Sequence, residues 1–242
     1  MRFLKKLVLF TILVLFAAAA VLGGRLLFNG YQIYRQVTQE VPLSEKVAEI
    51  RANPHYTALD DLPQIYKEAV VAVEDSRFYQ HGGFDIISTA RAFFINLREG
   101  ELAEGGSTIT QQLAKNMYFT QEKKFLRKAA ELFVAFELER DYSKDEILEL
   151  YLNTIYFGSG YYCVYDAAEG YFGKEPSQMT DYESTLLAGI PNAPSVYSLT
   201  NSPELAAMRQ KTVLECLVEQ DYITQAQADG ILAQGEVQQA AQ

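Results

Sequence analysis

The stretch AVVAVEDSRFYQHGGFD, residues 69–85, decides how the rest of the chain is read. Its apolar start, Val70-Val71-Ala72-Val73, reads as a helix running through a core. It stops at two adjacent carboxylates, Glu74 and Asp75, and passes into aromatics, Arg77, His81 and a Gly82-Gly83 turn. Upstream, Asp60-Asp61 before Leu62-Pro63 supply an N-cap and an early proline, so the spacing predicts a helix ending near Glu74. A carboxylate at a helix C-terminus opposes the helix dipole. A partly buried glutamate there has a raised pKa and suits a general base. An exposed acid pair at a helix end is the plainer reading, and spacing alone favours it.

Working outward, helix signals come in quick succession. Phe84 to Leu97 is amphipathic, Ser107 can cap a helix through Met117, and another spans about Phe125 to Arg140. Ser143 with Glu146, Thr180 with Glu183 and Thr224 with Gln227 have capping-box spacing. Ser202-Pro203 opens a helix ending near Glu219. Glycine clusters fall between these segments, and no segment alternates with period two. The expectation is an all-α domain.

The 242 residues, 49% hydrophobic, are enough for one domain with an appendage. The formal charge of -10 argues against a nucleic-acid partner. Cys163 and Cys216, with only His55 and His81 beside them, make no metal spacing and no disulfide framework. The N-terminus departs from this composition. Residues 1–6, MRFLKK, are basic, and Leu7 to Gly24 carries no charge. Eighteen helical residues cover about 27 Å, close to the hydrocarbon thickness of a bilayer. The AAAA run resembles a signal-peptide cleavage region, but the span is long and continues into RLLF, which favours an uncleaved anchor. Arg2, Lys5 and Lys6 put the N-terminus inside and the remainder outside the cytoplasmic membrane. Residues 25–53 read as a polar stalk, and 54–242 as the extracytoplasmic domain.

Two further segments carry chemistry. EGGSTITQQLAKN, 104–116, is Gly-rich, then hydroxyl-rich, then amide-rich. A helix starting near Ser107 would aim free N–H groups at an anion. Thr108, Gln112 and Lys115 share one face by spacing. In KKFLRKAAELFVAFELE, 123–139, Phe125, Ala129, Leu132, Phe133 and Phe136 form an apolar side. Glu131 lies opposite, with Arg127 and Lys128 at i-4 and i-3. A salt-bridged surface is the plainer reading of that face. Yet Lys115, Lys123, Lys124, Arg127 and Lys128 concentrate positive charge in an acidic chain, which fits a phosphate-bearing ligand.

EDSRFYQHGG, GGSTITQQLAKN, RKAAELFVAFELE, KDEILELYLNTIYFG and YESTLLAGIPNAPSVYS together resemble the five signature segments of the family 51 glycosyltransferases, the peptidoglycan glycosyltransferases of cell-wall synthesis. The match runs from Leu62 to Ser198, in order. The resemblance implies a lysozyme-like helical fold at the membrane and polymerisation of lipid II with loss of undecaprenyl diphosphate. It implies that Glu74 is the general base and that Glu131 assists at the diphosphate. It puts Lys115, Arg127 and Lys128 around the diphosphates, and Ser107, Thr108, Gln111, Gln112 and Asn116 along the donor cleft. It requires no cofactor and admits magnesium or manganese beside the diphosphate, though no dedicated cage is visible. Its partners are lipid II, the lipid-linked glycan strand, the membrane and cell-wall synthesis complexes. Phe93, Phe94, Ile95 and Leu97, with Met117, Tyr118 and Phe119, offer an apolar rim for the bilayer or plain core packing.

Two positions depart from the pattern. Cys163 stands where the family has glycine, which costs about 1 kcal/mol if that residue needs a positive φ. Ala130 stands where some relatives are basic, which would weaken a phosphate contact. A Cys163–Cys216 disulfide is open. No Ser-x-x-Lys occurs, so the expectation is a glycosyltransferase without transpeptidase activity. A lysozyme-like hydrolase and an inactive membrane scaffold are the rival readings.

Overall fold

Capping chemistry sets most of the boundaries in the computed structural model, which describes residues 2–99, 105–119 and 124–240. The described residues form helices and turns without strands. A long N-terminal helix, α1 (Arg2–Glu40), is followed by α2 (Leu43–Arg51), α3 (Gln64–Glu74), α4 (Ile86–Glu99), α5 (Ile109–Tyr118) and α6 (Lys124–Asp141). Then come α7 (Lys144–Leu152), α8 (Val164–Phe172), α9 (Asp181–Gly189), α10 (Pro194–Tyr197), α11 (Pro203–Glu219) and α12 (Gln225–Ala240). Reciprocal capping boxes open α7 at Ser143 and α9 at Thr180. Thr224 and Gln227 exchange the same pair of bonds before α12. Each box satisfies two otherwise orphan N–H groups.

Three boundaries differ from expectation. Asp60 and Asp61 form a 3-10 turn and cap nothing with their side chains; Pro63 precedes α3 instead. The N-cap of α5 is Thr108, one residue after Ser107. The largest correction concerns residues 25–53, which are no polar stalk. Helix α1 continues through Glu40, and its lower half packs along α6. Ile33, Tyr34 and Val37 press against the core, while Leu43 and Val47 of α2 are part of it. The upper half of α1 is bare, with Leu4, Phe10, Leu15, Phe16 and Leu22 all exposed. By length and composition this helix can cross a membrane.

Helix α3 sits centrally, packed on α9 and α11, while α5 packs on α6 and α7. Tyr66, Ala69, Val70 and Val71 of α3 share one core with Ile109, Leu113, Leu138, Leu148 and Tyr151. The core face of α6 is Ala130, Val134, Ala135 and Leu138, all fully buried, not the stripe expected from spacing. Phe136 of that stripe is exposed, and Phe133 meets α1. Leu132 is half-buried, and the side chain of Phe125 lies outside the described residues.

Asp85 caps α4, accepting from the N–H groups of Ile87 and Ser88, from Ser88 Oγ at 2.6 Å and from Arg77 Nε at 2.8 Å. Burial alone would raise its pKa, but these donors outweigh burial and hold the carboxyl well below the usual range. Its stabilising contribution is therefore present above the ordinary aspartate pKa and is lost as pH falls through the depressed value.

The turn before α8 places Gly158 and Gly160 at positive φ, and the first of them is also tightly packed. Gly158 has φ 82°, and a Cβ there would lie 2.6 Å from the Pro194 carbonyl oxygen. Gly158→Ala is expected to cost about 1–3 kcal/mol, read as a lowered Tm in thermal unfolding. Cys163, by contrast, has φ -150°, ordinary extended backbone, so the expected strain there does not arise. Its Sγ accepts from the Asp166 N–H and caps α8. Both cysteines are free thiols.

Candidate active site

The chain direction at the end of α3 creates the site. Glu74 is the last helical residue, and Asp75 turns away at φ -158°, ψ 73°. The two carboxylates thereby separate. Asp75 is buried and accepts from the Ile109 N–H at 3.0 Å and from His81 Nε2 at 2.9 Å. It ties the end of α3 to the start of α5. Glu74 instead opens on a cleft of about 870 Å³ between α3, α5, α6 and α11.

Two of the N–H groups expected to form an anion site at the α5 N-terminus are already taken by the protein. The Ile109 N–H belongs to Asp75, and the Gln111 N–H to Thr108 Oγ1 at 3.1 Å. Thr108 also donates to the Gly83 carbonyl at 2.8 Å, locking the loop after Asp75. Thr108 and Gln111 line the cleft, but their side chains are spent on this capping box.

Glu74 is held from one side only. Gln112 Nε2 donates to its Oε2 at 2.8 Å, and the Tyr151 hydroxyl donates to the Gln112 oxygen at 3.3 Å, orienting the amide. The other oxygen, Oε1, is buried with no partner. Burial is the largest influence on this carboxyl and raises its pKa, with the Asp75 charge adding to it. The Gln112 bond, Arg209 and Lys115 pull the other way without overturning the rise.

Across the cleft, Glu131 is 1% exposed. Arg127 Nε lies 2.9 Å from its Oε1 and Lys128 Nζ 3.1 Å from its Oε2. Neither Arg127 Nε nor Glu131 Oε1 makes an aligned hydrogen bond, so that pair is held by charge alone. Lys128 also donates to Ser107 Oγ at 2.8 Å, joining α6 to the loop before α5. Lys115 lines the same cleft with an exposed side chain.

The structure thus brings Glu74, Ser107, Thr108, Gln111, Gln112, Lys115, Arg127, Lys128 and Glu131 to one cleft. Asn116 is not brought there. Its amide turns to the Thr154 carbonyl at 3.4 Å and supports the end of α7. Ala130 is fully buried in the core, so its side chain replaces no phosphate contact. Glu104 and Lys123, and the side chain of Lys124, lie outside the described residues.

Residues 42–218 match the family model described as Transglycosylase. The chain belongs to the transglycosylase family. Penicillin-binding protein 1F of Bacillus subtilis is 41% identical over 234 residues, covering 93% of this chain and 32% of its own. Penicillin-binding protein 1A of Vibrio cholerae is 40% identical over 253 residues, covering 97% and 30%. A solved structure of penicillin-binding protein 1A from Haemophilus influenzae is 24% identical, covers 73% of this chain and 17% of its own, and gives a TM-score of 0.44. The chain spans about a third of the length of the curated relatives it matches.

Within this cleft the sequence signal missed the contribution of α11. Arg209 and Thr212 line the cleft from residues beyond the last motif, and Arg209 Nε is buried without a partner. No local spacing ties them to Glu74, more than a hundred residues away. Asp75 was visible as half of an acid pair, but its role as a strut needed the fold. Asp75, His81 and Asp85 also place ligand-type atoms within 4.8 Å of one another. Those atoms are committed to Ile109, Arg77, Ser88 and each other, so the cluster braces the loop.

Proposed function

We propose that the chain polymerises lipid II into glycan strands, with inversion at the donor MurNAc anomeric carbon and release of undecaprenyl diphosphate. One observation carries the reading: Glu74, whose buried Oε1 has no partner, lines the same cleft as Lys115, Arg127 and Lys128. The 4-hydroxyl of the acceptor GlcNAc gives its proton to the Glu74 carboxylate as its oxygen attacks the donor anomeric carbon. The bond from that carbon to the diphosphate oxygen breaks, and the electron pair leaves with the diphosphate. Charge growing on the leaving group is met by Lys115, Arg127 and Lys128. Glu131 holds the last two in place. The leaving group is already activated, so no nucleophilic serine or histidine is required.

Two of the carboxylates that line the cleft, Glu131 and Asp75, do not suit a protein-bound cation. Glu131 is paired with Arg127 and Lys128, and Asp75 with Ile109 and His81. No step is routed through a metal.

The domain sits on the extracytoplasmic face of the membrane, with α1 as anchor and its basic start inside. Ile86, Ile87, Phe94 and Leu97 expose an apolar face on α4 that suits contact with the bilayer. Met117 and Phe119 of the expected rim are buried core residues, Tyr118 bonds to the Val41 carbonyl, and the Phe93 side chain lies outside the described residues.

The test is purified lipid II with the detergent-solubilised chain, read as glycan length on a gel. Long strands support transfer; soluble fragments released from finished wall would support a hydrolase instead. The pH profile adds a second check. The base must be ionised, and its pKa is raised, so kcat/KM is expected to fall with decreasing pH already above the ordinary glutamate range. An acid limb at the ordinary value would remove Glu74 from the role.

A further inference from the structure

Glycine in a helix interior is destabilising relative to alanine, so its presence calls for a local reason. Helix α1 contains Gly23, Gly24 and Gly30, and none has a positive φ. A Cβ added at Gly23 or Gly24 would meet nothing within 4 Å. At Gly30 it would lie 2.5 Å from Ala129 Cβ, 2.9 Å from the Ala129 carbonyl carbon and 3.1 Å from the Ala130 nitrogen. The two helix backbones touch at this point, and only a missing side chain allows it. One turn further on, Phe133 of α6 packs edge-on against Tyr31, with ring centroids 5.4 Å apart, and against Tyr34 at 5.9 Å.

Helix α6 therefore has two working sides. Ala129 and Phe133 receive α1, whereas Arg127, Lys128 and Glu131 reach the cleft. A helix this regular moves as a rod, so a push at Ala129 displaces the charged residues one and two positions away. Displacements near 1 Å at a reacting centre can cost on the order of 10²-fold in rate.

We propose that Gly30 is a positioning residue for the transferase reaction: its crossing over Ala129 sets where α6 holds Arg127, Lys128 and Glu131 against the diphosphate. This rests on the proposed function of the cleft. The anchor helix then backs the helix that carries the diphosphate wall, as well as serving as a tether.

The full chain in detergent micelles tests this, using undecaprenyl diphosphate as the probe. Affinity is measured for the wild type, Gly30→Ala and the double variant Gly30→Ala/Ala129→Gly, with helical content and flotation on liposomes recorded alongside. The Ala129 change removes the 2.5 Å contact with its Cβ and leaves the 2.9 Å approach to the Ala129 carbonyl carbon. Gly30→Ala should weaken diphosphate binding by about 5-fold or more, with flotation unchanged, and the double variant should regain part of it. Wild-type affinity in a folded Gly30→Ala chain overturns the inference, and so does a loss that the double variant does not reduce. If Gly30→Ala does not fold, the folded double variant decides: weakened binding with flotation unchanged supports the inference, and wild-type affinity overturns it. A wild type that does not bind the diphosphate overturns the function itself; a wild type that binds, with Gly30→Ala equal to it, overturns this inference alone.

Discussion

Glu74→Gln is expected to reduce lipid II polymerisation by roughly 10²- to 10⁴-fold, the span associated with a general base. The amide has the shape of the carboxyl and can still accept from Gln112, so the helix end should be undisturbed. Stability should even rise slightly at neutral pH. Burial raises the pKa of Glu74, which means the folded state disfavours its charge once pH exceeds the unfolded value. Removing that charge removes the penalty. The check is a paired measurement of rate and Tm on one preparation. Loss of rate with equal or higher Tm fits a base held in place at some cost to stability. Unchanged rate on purified lipid II would show that the proton goes elsewhere.

Glu131→Gln should lower the rate by roughly 10²- to 10³-fold, for a different reason. The carboxylate is 1% exposed and faces Arg127 and Lys128, so it fixes where two cations point before substrate arrives. With the charge gone, the cations repel each other and drift. Stability should fall by less than the ~3–5 kcal/mol typical of breaking a buried pair, because both side chains keep part of their surface in water. The two variants separate by ligand binding. Glu74→Gln should bind undecaprenyl diphosphate as the wild type does, and Glu131→Gln should bind it more weakly, measured as inhibition of polymerisation. Equal binding by both would place Glu131 away from the leaving group.

Much of the helical fold was legible because its signals are local. Ser143–Glu146, Thr180–Glu183 and Thr224–Gln227 satisfy N–H groups within one turn, so spacing reveals them. Thr108–Gln111 has the same spacing, and reading it would have placed the α5 cap correctly and shown that the Gln111 N–H is spent. The run of α1 to Glu40 was missed although Gly30, Ile33, Tyr34 and Val37 keep helical spacing. Arg25, Gln32, Arg35 and Gln36 made the segment look polar, and its partner face on α6 lies a hundred residues away. The core face of α6 was misjudged for a related reason: Ala130 and Ala135 are small, and a stripe of phenylalanines outweighed them. In the site, the charged and amide residues were readable by type. Asn116, turned to Thr154, shows that type does not give direction.

The carboxylate of Asp75 seated on the first amide of α5 has a kinetic consequence. Under the proposed function that amide is denied to the departing diphosphate, which would instead be gripped by long cationic arms that keep part of their surface in water. Such arms let go one at a time, each exchanging a phosphate oxygen for solvent. Product escape should accordingly quicken as ionic strength rises, even while capture of fresh substrate slows.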